Sequence, residues 1–254
     1  MGGFLDKLGV YDFLNLIGAG GVFVCGTHAI GFVKMKDIFG YINTGNSVLD
    51  VALFIGICFI IGTLLQQLGS LICKRNYKNE LLDKLLADDS TAVTNPLSRT
   101  AHRERLDALT STQNNETIEN RYHYYFSYCE YTINVHGKDD KAERMRNLRG
   151  LTSALMACFS VLAVFAALGG GVTLLRVCMA SANACGSITN AAIGASSEWN
   201  NVARMLICCG VFVGMACFNT RSYRLNTQFW IRMVLDVYCA CTDNQNKYIV
   251  SNDN

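Results

Sequence analysis

Polar side chains recur at helical spacing inside the second of four long apolar stretches. Thr63, Gln66, Gln67 and Ser70 stand at positions i, i+3, i+4 and i+7, so they share one face of a helix. Polar groups at membrane depth face a partner or water rather than lipid. The set predicts either the lining of an ion path, joined by Asn15 of the first stretch, or hydrogen bonding between helices. For any single residue, bonding between helices is the favoured interpretation.

A basic run just before the third apolar stretch forms a second candidate site. Its members are Lys138, Lys141, Arg144, Arg146 and Arg149, and Arg121 stands in the preceding segment. Basic residues beside a membrane attract anionic lipid, by about 1 kcal/mol each, and they also bind phosphate-bearing ligands. Neighbouring acidic residues dilute the charge, so a solvated helix face is favoured over both binding interpretations.

Aromatic residues crowd the segment 121–131. The cluster comprises Tyr122, Tyr124, Tyr125, Phe126, Tyr128 and Tyr131, beside Arg121 and His123. Aromatic rings with arginine can stack nucleobases, but they also form helix-packing cores and oligomer interfaces. A core or an interface is the favoured interpretation.

Motifs for catalysis or metal binding are missing from the sequence. The 4 histidines show neither H-x-x-x-H nor H-E-x-x-H spacing. The close pairs Cys208–Cys209 and Cys239–Cys241 lack the zinc-type C-x-x-C spacing, and no phosphate-binding G-x-x-x-x-G-K loop occurs. We therefore expect no enzyme activity, no metal and no cofactor.

The elements that must position these residues are four apolar blocks, 11–33, 48–72, 151–175 and 202–219. The chain is 51% hydrophobic and only 17% charged, and about 20 apolar residues of helix cross a bilayer. Because the blocks are long and lack proline, they predict an all-α polytopic membrane protein. The fourth block reaches 18 residues only if Arg204 extends to the interface. Gly210 and Gly214 within it form a G-x-x-x-G pair that permits close packing of helices.

The blocks divide the chain into four predicted segments. A first transmembrane hairpin (1–75) and a second one (151–219) enclose a cytoplasmic helical domain (76–150), and an amphipathic cytoplasmic tail follows (220–254). In the tail, the apolar face of Leu225, Phe229, Met233 and Val237 lies on the inner leaflet or docks on the helical domain. The segment 177–197 is either re-entrant or an outer extension of the third span.

Charge distribution predicts the orientation in the membrane. Of the 22 lysines and arginines, only Lys34, Lys36, Arg176 and Arg204 fall outside the segments that contain the termini and the long loop. Basic residues accumulate on the cytoplasmic side, so both termini are expected in the cytoplasm and the protein in the inner membrane.

The layout of 11–149, two adjacent spans followed by cytoplasmic helices, resembles small multi-pass effectors of bacterial anti-phage systems, such as SLATT-type proteins. The second hairpin at 151–219 departs from that two-span plan. The resemblance implies an oligomeric pore that opens on an intracellular nucleotide or nucleic-acid signal and depolarises the cell.

The leading expectation is therefore a homo-oligomeric channel or membrane-permeabilising effector, gated through its cytoplasmic helices. Its expected partners are membrane lipid, further copies of itself, and a nucleotide, an oligonucleotide or a soluble protein as activator. A net charge of +2 gives no basis for double-stranded DNA readout. The alternatives are a non-conducting scaffold that binds a soluble partner and a small transporter, although no internal repeat favours the latter.

Overall fold

The computed structural model describes residues 10–34, 42–73, 118–137, 140–183 and 188–252, together with 37, 40 and 104. Within the predicted helical domain (76–150), residues 76–103, 105–117 and 138–139 lie outside the described residues, and these include Lys138. The side chain of Arg121 also lies outside them. The described chain forms five helices: α1 (Val10–Ile30), α2 (Ser47–Ile72), α3 (Ile118–Val135), α4 (Asp140–Asn183) and α5 (Ile188–Asn252).

Four of these helices are long and apolar enough to cross a membrane. The apolar stretches are Phe13–Ile30, Ser47–Ile72, Lys141–Met179 and Trp199–Thr242. Each provides at least the 18 or so residues that a bilayer core requires. No strand occurs among the described residues. The prediction of an all-α chain with four apolar helices is confirmed, and the chain has the construction of a multi-pass membrane protein.

The chain divides into two compact units. The first, here called the apolar unit, comprises Met1–Ile72 and Gly150–Ser222. The second, here called the aromatic unit, comprises Cys73–Arg149 and Tyr223–Asn254. Helices α4 and α5 each contribute residues to both units.

Two glycines bring α1 and α2 into backbone contact within the apolar unit. A Cβ atom at Gly20 would overlap the carbonyl oxygen of Cys58, and one at Gly62 would overlap the carbonyl oxygen of Leu16. Higher numbers on α1 meet lower numbers on α2, so the two helices run in opposite directions. Small residues permit this approach, which increases van der Waals contact where lipid provides no hydrophobic driving force between helices.

Helix α4 supplies most of the interior of the apolar unit. Its Leu162 fills the space left by Gly26 of α1, and its Ser153 lies against Gly69 of α2. The buried cluster consists of Ile30, Leu65, Cys158, Phe159, Leu162, Ala163, Ala166 and Phe212. Stacking of Phe159 on Phe212, with centroids 6.2 Å apart, adds α5 to this core.

Local hydrogen bonds define the ends of α1 and α2. Gly31, with φ at 82°, ends α1: its N–H donates to His28 and the next N–H donates to the Thr27 carbonyl. This is the Schellman arrangement, which glycine adopts without strain. At the start of α2, Asn46 Oδ1 accepts from the Val48 N–H at 3.1 Å, as expected of an N-cap residue.

The aromatic unit has a core of ring contacts between α3 and α5. Phe126 meets Trp230 edge-on with centroids 5.0 Å apart, and Tyr125 meets Tyr238 at 6.2 Å. All four of these side chains are buried, and Ile231, Val234 and Leu235 complete the α5 side. Of the two predicted positions for the tail, the structure therefore shows docking on the helices of this unit.

The face of the tail that docks matches the predicted one only in part, since Val237 packs against the core and Met233 is partly buried. Leu225 and Phe229, assigned to the apolar face, are exposed, whereas Trp230, Ile231 and Val234 are buried. The predicted stripe follows the i, i+4 row of apolar residues. The docked face is centred beside that row, on Trp230 and Val234, where the rings of Phe126 and Tyr125 meet Trp230 and Tyr238.

Candidate functional site

The polar stripe of α2 lies beside its packed face rather than on it. Helix α2 is buried through Cys58, Gly62, Leu65 and Gly69, and the stripe is about a third of a turn away at 100° per residue. Thr63 and Gln66 are partly buried, whereas Gln67 and Ser70 are exposed. The stripe therefore does not line an interior path within one chain.

Two hydroxyl groups of the stripe are satisfied by their own helix. Thr63 donates to the Phe59 carbonyl at 2.9 Å, and Ser70 donates to the Gln67 carbonyl at 2.7 Å. The Gln66 amide lies 2.9 Å from where a Cβ at Gly150 would be placed, so it packs closely on α4. The hydrogen-bonding capacity of Gln67 is directed at the surface of the apolar unit.

The stripe belongs to the C-terminal third of α2. At about 1.5 Å per residue, Gln66 stands about 28 Å from the start of the helix at Ser47. That distance is close to the thickness of a bilayer core, about 30 Å. The stripe therefore lies toward the C-terminal end of α2 rather than at its middle.

Three other predicted residues of the apolar unit have definite positions. Asn15 is partly buried on α1. Gly210 and Gly214 are exposed on α5, and nothing lies within 4 Å of a Cβ placed at either. The close approaches within the chain are made by Gly20, Gly26, Gly62 and Gly69 instead. Packing through the G-x-x-x-G pair stays a prediction, since none of the described residues provides it.

The basic run is divided between exposed and engaged side chains. Lys141 and Arg144 are exposed on α4. Arg146 lies 3.6 Å from Glu130 and 3.8 Å from Glu143, with half of its side chain exposed. Exposed ion pairs of this length contribute little to stability. Lys141 and Arg144 are the described members of the run best placed to meet lipid headgroups or phosphate.

Arg149 has a structural position that the sequence did not reveal. Its guanidinium lies 4.9 Å from the ring centroid of Trp230 and 5.4 Å from that of Tyr223. Its Nε and Nη2 also approach the Tyr223 hydroxyl oxygen at 3.2 and 3.0 Å. Cation–π contact of this kind contributes about 0.5–2 kcal/mol. Arg149 therefore holds α4 to α5 within the aromatic unit.

A cleft beside Arg146 is too small for a nucleotide. It is lined by Glu130, Glu143, Arg146 and Trp230 among others, and it has room for about one water molecule. In the part of the chain that the structure describes, no three His, Cys, Asp or Glu side chains come together as a metal site.

Arg204 has a role besides reaching the interface. Its Nη2 donates to the carbonyl oxygen of Ile30 at 3.5 Å, at the C-terminal end of α1. A positive charge is favourable at this end of a helix, by about 0.3–1 kcal/mol. The contact spans 174 residues of sequence, so neither helix pattern could have predicted it.

Comparisons with family models, curated proteins and solved structures found no match for this chain. Its class rests on the four apolar helices alone.

Proposed function

We propose that this protein is a homo-oligomeric membrane channel or permeabilising effector whose path is lined by the polar stripe of α2. The observation that carries the proposal is the exposure of Gln67 and Ser70 on the surface of a helix rich in apolar residues. Polar side chains facing hydrocarbon are costly. If further copies assembled around a shared axis, the stripe would line a water-filled path instead of facing lipid.

The surroundings of the stripe support an oligomer. Only 17% of the Ser47–Ile72 stretch is buried within the chain, against 56% of Lys141–Met179. Leu64 and Leu71, on the far side of α2 from its packed face, are exposed and suit lipid. The stripe lies between the packed face and this leucine face, which is where a neighbouring subunit would border the path.

The arrangement we propose has two transmembrane hairpins, with both termini and the helical domain on the cytoplasmic side of the inner membrane. Basic residues support this orientation, since Arg144, Arg146 and Arg149 precede the apolar part of α4 and Arg221 and Arg224 follow that of α5. A signal received in the aromatic unit would reach the path through α4 and α5, which contribute residues to both units.

The activating signal that we propose is a nucleotide or an oligonucleotide, in keeping with the resemblance to anti-phage effectors. Its support is the pair of exposed cations, Lys141 and Arg144, since the cleft beside Arg146 holds only about one water molecule. A surface contact to phosphate is therefore the form of recognition that the described residues permit.

Substitution of the stripe tests the proposal directly. We expect the double variant Gln66→Leu with Gln67→Leu to abolish current in planar bilayers while membrane insertion is unchanged, because an apolar mouth does not hydrate ions. The matched control, Leu64→Ala with Leu71→Ala, changes two exposed residues of the same helix away from the stripe and should keep its conductance.

Two outcomes would contradict the proposal. Wild-type currents that persist in the double variant would remove the stripe as the lining. A wild-type protein that carries no current, with or without added nucleotides or oligonucleotides, would favour the non-conducting scaffold.

A further inference from the structure

Helix α3 carries a second apolar face that the described residues leave largely exposed. Tyr124, Tyr128, Tyr131 and Val135 are 46%, 41%, 67% and 63% exposed. They stand at i, i+4, i+7 and i+11, the alternating four-and-three spacing by which two helices pack along a seam. We call these four residues the tyrosine seam.

The seam lies on a different face of α3 from the core of the aromatic unit and touches that core at Tyr128, whose ring meets Tyr238 edge-on with centroids 6.1 Å apart. Tyr125, Phe126, Cys129 and Ile133 are the buried residues of α3. At 100° per residue they are centred about 145° around the helix from the seam. A helix with one apolar face needs one packing partner. Helix α3 has two apolar faces, so its second face can pack against a second partner.

We infer that the tyrosine seam is the contact surface for a second copy of this chain. The inference extends the proposed homo-oligomer by naming residues of its interface outside the apolar unit. Identical surfaces carry identical charges, so a seam that pairs with itself must be neutral to avoid repulsion. The seam meets this condition, and the nearby acidic Glu130 is directed to Arg146.

The size of the seam also favours a second copy over a soluble protein. With aromatic side chains of about 150–250 Å² each, the four residues offer about 400 Å². A stable interface between freely diffusing proteins needs about 800 Å² from each partner. Copies anchored in one membrane meet at a high effective concentration, so a smaller surface is sufficient for them.

Site-specific photo-crosslinking in the full-length protein tests the inference. With benzoylphenylalanine replacing Tyr131 in native membranes, we expect an adduct at twice the 28.0 kDa mass of the chain. The same group at Asn134, an exposed residue of α3 about 60° from Tyr131 and farther from the centre of the seam, should give much less of it. No adduct at Tyr131, an adduct with another protein or with nucleic acid, or a cross-link within one chain would each overturn the inference.

A charge substitution provides the second measurement. Tyr131→Asp should lower the yield of the cross-linked or co-purified oligomer by about tenfold or more, because the seam would have to bury an unpaired carboxylate. Asn134→Asp introduces the same charge beside the seam and should leave most of the oligomer intact. Equal yields from both variants would contradict the inference.

The outcome can be separated from that of the channel proposal. If the protein carries current in planar bilayers but gives no adduct at Tyr131, the channel proposal stands and the inference about the tyrosine seam is wrong. If the protein gives the Tyr131 adduct but carries no current, the inference about the tyrosine seam stands and the channel proposal is wrong.

Discussion

Adding one methyl group at Gly20 or Gly62 should separate α1 from α2. In Gly20→Ala the new Cβ would overlap the carbonyl oxygen of Cys58, and in Gly62→Ala that of Leu16. Both obstacles are backbone atoms, so no side-chain rotation relieves the overlap. Ordinary contact is about 3.5 Å, and the helices must therefore move apart. Overpacking of this kind costs about 1–3 kcal/mol.

Matched glycines in the same helices isolate that cost. A Cβ at Gly21 of α1 or at Gly56 of α2 meets nothing within 4 Å. Alanine favours a helix over glycine by about 0.5–1 kcal/mol at all four positions, so this effect cancels when each variant is compared with its control. We expect the Gly20 and Gly62 variants to be less stable than the Gly21→Ala and Gly56→Ala controls by about 1–3 kcal/mol.

Heating in detergent followed by size-exclusion chromatography measures the difference. For a chain of this size, about 1 kcal/mol shifts the midpoint by roughly 2–4 °C. The midpoints of Gly20→Ala and Gly62→Ala should thus lie about 2–12 °C below those of their controls. If Gly20→Ala melts with Gly21→Ala, and Gly62→Ala with Gly56→Ala, the backbone contact between α1 and α2 does not exist.

Two further predictions concern the aromatic unit. Arg149→Lys keeps the charge but loses the planar group that lies on Trp230 and Tyr223, so stability should fall by about 1–2 kcal/mol. Trp230 emission should change in a Trp199→Phe background, and unaltered emission would contradict the stacking. Burial raises the pKa of the Tyr125 hydroxyl above its usual 10.0, so the folded unit holds this proton more tightly and loses stability as pH rises above that value. Tyr125→Phe should move the alkaline unfolding midpoint to higher pH, and an unchanged midpoint would exclude this hydroxyl as the group responsible.

Features that depend on composition and local spacing were predictable from the sequence. The four apolar blocks became four apolar helices because length and hydropathy alone determine that outcome. A glycine after a helix is a local signal of the same kind, and Gly137, with φ at 62°, follows the last residue of α3, Val135. Helix α4 runs from Asp140 through the third block without a break.

Features that depend on the choice of partner were not predictable in the same way. The G-x-x-x-G pair at Gly210 has the recognised spacing, yet Gly20 and Gly62 make the close contact because α1 and α2 lie against each other. Arg149 was a candidate for lipid or ligand binding, with a solvated helix face favoured, since nothing local connects it with Tyr223, which is 74 residues away. Spacing shows which residues share a face, but the neighbour of that face is set by the whole chain.

An exposed apolar side chain requires no explanation in a membrane protein, because lipid can surround it. Exposed polar and aromatic side chains are therefore the ones that indicate a candidate partner surface. Leucines on the outside of α2 are as stable in lipid as in a core, because hydrocarbon surrounds them in either place. Gln67 and Tyr131 are different, since the first is an exposed amide on an apolar helix and the second is a large ring that is 67% exposed. The homo-oligomer that we propose would cover both residues, because the association of identical chains would bring the stripe and the seam against further copies.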